Sequence, residues 1–568
     1  MKLIGPRFWN YSTYGWLVAL SLALAGCQSN APACPPQCAG ADLRQADLSQ
    51  TDLRGADLSG ASLYEARLDQ ADLGEANLAG ANLIRANLSE ADLSRATLYR
   101  ADLGRANLQA ANLHQANLGG ANLAGADLRN ADLGEANLQG SFVDGAILDQ
   151  TNLSYANLGG TDLRRIDLSG ANLRGANLES VDLRETDLSG VNLDQANLSR
   201  ADLKQAILRR ATLVGVDLRE ANLERISLYE ANLRGADLHG TNLGWVDLHQ
   251  VKLDHSTRID DKWRLVWEIV NQGAAGRNLQ QADLSQTNLN GADLKQADLR
   301  EANLFEATLW GADLCDVDLR GANLTGASLH RADLRGADLS QTNLRNADLS
   351  QADLFQVKLD DTTQIDAKWR LVWEIVNQGA AGRNLQHADL SQANLQGTNL
   401  SQAILSEANL FRTTLRDSNL GETDLSHSYM LGANLSGANL QRATLTGSNL
   451  GWTNLNRADL RLANLSDTNM GGTKLFEANL PQTSLKGASL READLRGARL
   501  TGADLSYTNL IRADLAKADL TEANLSWADL SGANLDQTDL STANLHGAIF
   551  DNSALPLLGF DPEKDDQP

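Results

Sequence analysis

Residues that commonly carry catalysis or bind metals are scarce in this sequence. Its 568 residues include only four cysteines and eight histidines. No glycine-rich phosphate loop, paired metal-ligand motif or nucleophile elbow is present. Carboxylates are plentiful, but nothing singles out a pair of them for acid–base catalysis. We therefore predict a non-enzyme with no catalytic, cofactor-binding or metal-binding residues.

Basic residues are also too few for a nucleic-acid-binding surface. Lys and Arg number 49 against 72 Asp and Glu, which gives a net charge of −23 at pH 7. A surface of this charge repels nucleic acid and anionic lipid headgroups. We therefore expect no nucleic-acid partner.

Long apolar runs are absent except at the start of the chain. The first 25 residues contain Lys2, Arg7 and no acidic residue, and an apolar run extends over residues 16–25. This run is shorter than the ~20 apolar residues that a membrane-spanning helix needs. It ends in Leu24-Ala25-Gly26-Cys27, and the whole pattern is typical of an export signal with a small-residue cleavage site.

The tetrapeptide ending at Cys27 resembles the lipobox of bacterial lipoproteins. In those proteins the cysteine is lipidated and becomes the first mature residue. The resemblance implies a signal peptide over 1–26, lipidation of Cys27 and a membrane-anchored protein on the periplasmic side. Gln28 in the next position, rather than Asp, slightly favours the outer membrane. The alternative is an ordinary secretory signal with an incidental cysteine.

Residues 27–40 form a short tether that is rich in proline. Its prolines oppose helix and central strand and favour an extended spacer. Cys34 and Cys38 flank two of them, and in an exported chain this spacing favours a local disulfide. A metal site would need two further ligands, and no other Cys or His is nearby. The fourth cysteine, Cys315, stands alone at an outward repeat position.

Beyond the tether, nearly the whole chain repeats one five-residue unit, Ala-(Asp/Asn)-Leu-x-x. Its central leucines extend over residues 43–253, 279–359 and 385–555, and only Val143, Met430, Met470 and Phe550 replace leucine. A period of five suits neither an α-helix, whose faces recur at 3.6, nor a flat strand, whose faces recur at 2. It fits a chain that turns a corner at each unit.

Four units can close a square coil of twenty residues that stacks on its neighbours at the strand spacing. Leu and Ala would point inward, and Asp or Asn outward. Glycines such as Gly60, Gly80 and Gly120, which recur at multiples of twenty, suggest type II turns on one face, although glycine could simply tolerate a crowded corner. The repeat resembles the pentapeptide-repeat family. This resemblance implies an all-β, right-handed quadrilateral β-helix, here in three blocks: 41–253, 279–359 and 385–555.

Two nearly identical inserts, 254–278 and 360–384, interrupt the repeats. Apolar residues at helical spacing predict one helix of about three turns in each. These residues are Trp263, Val266, Trp267 and Val270 in the first insert, and Trp369, Val372, Trp373 and Val376 in the second. We expect each helix to cap the open end of the preceding coil stack. The alternative is a docking surface for a partner.

The glycines that follow each helix predict a hinge, at 273–276 and 379–382. The last segment, 556–568, is predicted to be a C-terminal cap with an acidic tail. Together these features predict a non-catalytic, lipid-anchored extracytoplasmic scaffold that acts on an unknown protein partner or as a spacer. Some members of the resembled family are acidic DNA mimics that bind type II topoisomerases. That is the alternative function, and the export signal argues against it.

Overall fold

The protein is described by a computed structural model that covers residues 36–551. The predicted signal, Cys27, Cys34 and the C-terminal segment lie outside the described residues. The chain divides into two compact units. The N-terminal unit extends to Gln272 and includes Gln286–Asn288, and the C-terminal unit comprises Gly273–Ser285 and the chain from Leu289 onward.

Both units are built from parallel bridges between residues twenty positions apart, such as Asp57 with Asn77. Every fifth residue forms such a bridge, so each coil has four sides. On each side the central Leu donates its N–H to the following coil, as Leu83 does to the Asp102 carbonyl at 2.6 Å. The corner closes within the coil, where the Ala86 N–H bonds the Leu83 carbonyl at 2.9 Å. These bonds give a four-sided parallel β-helix.

The interior is filled by the two inward residues of every unit. Leu83 and Ala86 are fully buried, and the same holds for most leucines and alanines of the repeat. Where threonine replaces alanine, its hydroxyl finds a backbone acceptor; Thr151 Oγ1 donates to the Leu128 carbonyl at 3.0 Å. A buried hydroxyl with a hydrogen bond avoids the desolvation penalty that an unpaired one would carry.

A positive φ recurs at the corners of all four sides. It occurs at Gly60 (φ 63°), and also at Gln45, Gln50 and Glu75 (φ 57°, 57° and 60°). The turn conformation therefore extends beyond the glycine-rich face. Because the Leu-to-Ala corner bond imposes this geometry on every residue type, non-glycine corners carry a strain of about 1–2 kcal/mol each. Glycine relieves the strain without being required.

Helix α1 spans Asp261–Gln272 and helix α2 spans Ala367–Gln378. Strands β1 (Asn343–Leu344) and β2 (Gln364–Ile365) pair in parallel just before α2. The paired residues of β1 and β2 are 21 positions apart in the sequence instead of 20. The bridged residues Asp237 and Arg258, before α1, are also 21 positions apart. The β-helix wall therefore absorbs one extra residue and continues up to each helix.

The wall resumes directly after each helix, in the segments expected to be hinges. The Ala274 N–H bonds the Asp293 carbonyl at 2.8 Å, and the Ala380 N–H bonds the Asn399 carbonyl at 3.1 Å. Both alanines are buried where a central leucine would stand. These linkers therefore form the first side of the coil that follows, and their action as hinges relative to the preceding helix stays a prediction.

Candidate interaction surfaces

No cluster of His, Cys, Asp and Glu suited to a metal ion occurs within residues 36–551. Over the same range, no helix is long and apolar enough to cross a membrane. Cys38 is buried and disulfide-bonded. Cys315 is free and half-buried, and burial raises the pKa of its thiol. A raised pKa leaves less nucleophilic thiolate at neutral pH.

The repeated Asp and Asn side chains serve the wall itself. Their Oδ1 atoms accept the backbone N–H two residues later, as Asp72 does from Gly74 at 3.1 Å. An arginine in that later position adds a two-pronged pair. Arg129 Nε and Nη2 donate to the two Asp127 oxygens at 2.9 and 2.6 Å, and these bonds lower the pKa of Asp127 to about 2. Part of the acidic charge is thus engaged within single units.

Asparagines on one side of the N-terminal unit form a continuous ladder between coils. The Asn137 amide donates to Asn117 Oδ1 at 3.1 Å, and the pattern continues through Asn157 and Asn177 to Asn197. Amide side chains can donate and accept at once, so the ladder pairs them from coil to coil. The result is a column of paired amides along this side, from Asn117 to Asn197.

Helix α1 binds exposed backbone groups of the coil that precedes it. Trp267 Nε1 donates to the Val251 carbonyl at 2.7 Å. Asn271 donates to the Leu248 carbonyl at 2.9 Å and accepts the Gln250 N–H at 2.6 Å. In the regular wall a following coil would bond the Val251 carbonyl and the Gln250 N–H, whereas the Leu248 carbonyl already accepts the corner bond from Val251 at 3.4 Å. Two side chains of α1 therefore replace the missing coil.

Helix α2 repeats this arrangement in the C-terminal unit. Trp373 Nε1 donates to the Val357 carbonyl at 2.7 Å. Asn377 donates to the Leu354 carbonyl at 3.0 Å and accepts the Gln356 N–H at 2.7 Å. Trp373 and Asn377 thus bond the end of the second block as Trp267 and Asn271 bond the end of the first.

Helix α2 also contacts the block that follows it. Lys368 Nζ lies 3.2 Å from an Asp389 carboxylate oxygen and donates to Ser391 Oγ at 2.9 Å. Nearby, the Gln351 N–H bonds the Gln392 carbonyl at 2.7 Å, across 41 residues instead of the usual 19. These contacts join the second and third blocks at specific points.

The predicted apolar residues of the helices are not buried equally. In α1, Val266 is buried, whereas Trp263, Trp267 and Val270 are half-buried. In α2, Trp369 and Val372 are buried, and Trp373 and Val376 are half-buried. The sequence pattern missed Ile269 and Ile375, which are both buried. Their spacing of three from Val266 and Val372 was the available signal.

Several aromatic side chains project from outward positions of the C-terminal unit. Trp452 is 69% exposed, Tyr507 58% and Trp527 52%. Tyr507 and Trp527 stack at 6.5 Å between ring centroids. Trp452 instead borders a depression of about 280 Å³, hereafter the Trp452 trough. A second depression, in the N-terminal unit, is lined by charged side chains including Arg219, Asp237 and Arg258.

A four-sided parallel β-helix of five-residue units defines a solenoid class of protein. The family model described as pentapeptide repeats (8 copies) matches residues 37–250, 278–361, 384–521 and 523–555. The chain belongs to the pentapeptide-repeat family. Its fold is therefore the right-handed quadrilateral β-helix that the sequence predicted.

Solved structures of similar proteins include HetL of Nostoc sp. strain PCC 7120, involved in heterocyst differentiation regulation. HetL is 34% identical to this chain. The match covers 42% of this chain and 98% of HetL, with a TM-score of 0.22. Rfr23 of Cyanothece 51142 is 40% identical over 17% of this chain and 64% of its own, with a TM-score of 0.13. The fluoroquinolone resistance protein QnrB1 is 17% identical. The match covers 44% of this chain and 95% of QnrB1, with a TM-score of 0.16. No curated protein matches the chain.

Proposed function

We propose that this protein is a lipid-anchored, extracytoplasmic scaffold that acts without catalysis, by binding a protein partner or by spacing. The observation that carries the proposal is the sequence Leu24-Ala25-Gly26-Cys27 at the end of a basic, apolar leader. The wall begins with the bridge of Gln37 to Asp57. Only the short tether therefore separates a lipidated Cys27 from the first coil.

The scaffold role is supported by the division between inward and outward positions. Inward positions repeat Leu and Ala, while outward positions vary among charged, polar and aromatic residues. The fold is thus maintained by residues that no partner can touch. Its outward side chains are free to differ, as in other solenoids that present extended binding surfaces.

The two helices divide this scaffold into three blocks, and each helix caps the block before it. The support is the pair of side chains, Trp267 with Asn271 and Trp373 with Asn377, that bond the last coil's open backbone groups. The half-buried tryptophans favour a cap over a docking surface. A docking role would require side chains that remain available to a partner.

Fractionation of cells that express Cys27→Ser tests the anchor. The wild type should be recovered with membranes, whereas the variant should be soluble or remain uncleaved. Recovery of the wild type as a soluble cytoplasmic protein would refute the anchor.

The second candidate is an acidic DNA mimic that binds a type II topoisomerase, favoured by the net charge of −23. Against it stands the engagement of carboxylates such as Asp127 in pairs within their own unit. Purified protein added to a gyrase supercoiling assay separates the two functions. Inhibition at stoichiometric amounts would support the mimic, and the scaffold proposal expects none.

A further inference from the structure

The Trp452 trough is shaped by a column of small residues beside one flat aromatic ring. Trp452 and the glycines of the coils before and after it, Gly432 and Gly472, occupy equivalent corner positions. A Cβ on Gly472 would come within 2.8–2.9 Å of the indole carbons, so the ring lies directly against that backbone. One indole face is therefore supported by the wall, and the other faces solvent.

The adjacent column explains why a depression opens next to this ring. At its four successive positions stand Leu431, Gly451, Gly471 and Arg491. The two glycines leave the middle of the column without side chains, while Leu431 and Arg491 close its ends. The trough is consequently short, apolar at one end and charged at the other.

Polar groups line the depression beside Trp452. The Asn469 side chain accepts the Gly471 N–H at 3.2 Å and donates one amide hydrogen to Asn449, so its second amide hydrogen remains. Arg491 lies 3.5 Å from a Glu492 carboxylate oxygen, and both side chains are exposed. The depression thus combines hydrogen-bond donors, an acceptor and one bordering aromatic ring.

This combination fits a sugar ring. A pyranose with equatorial substituents has one flat C–H face, which packs on the negative face of an indole, and a rim of hydroxyls that need polar partners. Phosphate-bearing ligands fit poorly, since Glu492 and the acidic chain oppose a further negative charge. The trough is also too short and open for a helix, which is about 10–12 Å wide.

We propose that the Trp452 trough binds one N-acetylated hexosamine unit of a glycan. The sugar stacks on Trp452, its acetamido carbonyl accepts a hydrogen from Asn469, and the acetamido methyl packs against Leu431. Arg491 and Glu492 bond the ring hydroxyls. This site is independent of the anchor at Cys27.

Two substitutions test the site with little risk to the fold. Trp452→Gly places a glycine where Gly432 and Gly472 already stand, and it removes a side chain at a positive φ of 58°. Gly471→Leu places a side chain in the trough, and position 431 of the same column already holds a leucine. A Cβ on Gly471 would meet nothing closer than 3.6 Å, so the backbone there accepts a side chain. Trp527→Gly, at an exposed corner of another side, is the matched control.

The experiment is calorimetric titration of the full chain and its variants with chitotriose, the N-acetylglucosamine trimer. We expect the wild type and Trp527→Gly to bind equally, and Trp452→Gly and Gly471→Leu to bind at least tenfold more weakly. Cellotriose, which lacks acetamido groups, should bind more weakly than chitotriose. Absence of wild-type binding, or full binding by Trp452→Gly, would overturn the site. Equal affinity for both trisaccharides would overturn the acetamido contacts.

Discussion

Truncating one inward leucine should destabilise the N-terminal unit far more than truncating its outward neighbour. Leu183 is 1% exposed, and its N–H bonds the Asp202 carbonyl at 2.8 Å. Leu183→Ala removes buried carbons and leaves a cavity, a change that lowers the free energy of unfolding by about 2–5 kcal/mol. We expect the upper half of that range, because walls held by coil-to-coil hydrogen bonds on all four sides can scarcely collapse into the void.

The control is Arg184→Ala in the next position. Arg184 pairs with Asp182 at 2.7 Å, but its side chain is 44% exposed, so its loss should change stability little. Guanidinium unfolding followed by circular dichroism measures both variants. Hydrogen exchange should show faster opening near Leu183 than in distant coils, because solenoid coils couple mainly to their neighbours. Equal loss of stability in the two variants would refute the inward and outward assignment.

Three further predictions follow from the caps, the linkers and the carboxylates. Asn377→Ala should lower the free energy of unfolding by about 1 kcal/mol, because the Gln356 N–H loses its acceptor and the Leu354 carbonyl loses one of its two donors, whereas Gln378→Ala at the exposed helix end should change it little. Limited proteolysis should spare Gly276 and Gly382, whose N–H groups bond the next coil; early cutting there would instead support hinges at these linkers. Carboxylates such as Asp127, with a pKa lowered from 3.8 to about 2, stabilise the folded state above pH 4. That stability should be lost as the pH falls from about 4 to about 2, and an acid titration of unfolding that stays flat over this range would contradict it.

The repeat could be read from the sequence because each unit carries the same two inward residues. A period of five with Leu and small Ala inward predicts a four-sided β-helix with twenty residues in each coil. The bridge of Asp57 with Asn77 has this spacing of twenty. The corner geometry was underestimated. Glycine signalled a positive φ on one side, but the backbone bond at the corner imposes it on Gln50 and Glu75 as well.

The inserts were harder to predict because their partners are coils far along the chain. Four apolar residues at 266, 267, 269 and 270 form a broad stripe, and only the wall determines that Val266 and Ile269 become buried. The composition of the linkers suggested flexibility, yet counting five residues back from Leu279 places Ala274 at an inward position. The capping roles of Asn271 and Asn377 had one visible signal, a Trp four residues earlier in both inserts.

The Trp452 trough could hardly be predicted from the sequence. Trp452, Gly451 and Gly471 are ordinary substitutions at variable positions when each is considered alone. They become a trough only because twenty residues make one coil, which stacks position 471 directly on position 451. Aligning the repeats by coil rather than by unit was the step that could have revealed the glycine column.

The central claim, a scaffold held to a membrane by its first mature residue, is tested most directly by mass spectrometry of the mature N-terminus. Protein purified from membranes should begin at Cys27, and that residue should carry the mass of a diacylglyceryl group. An intact Met1, or an unmodified Cys27 in the mature wild type, would contradict the claim.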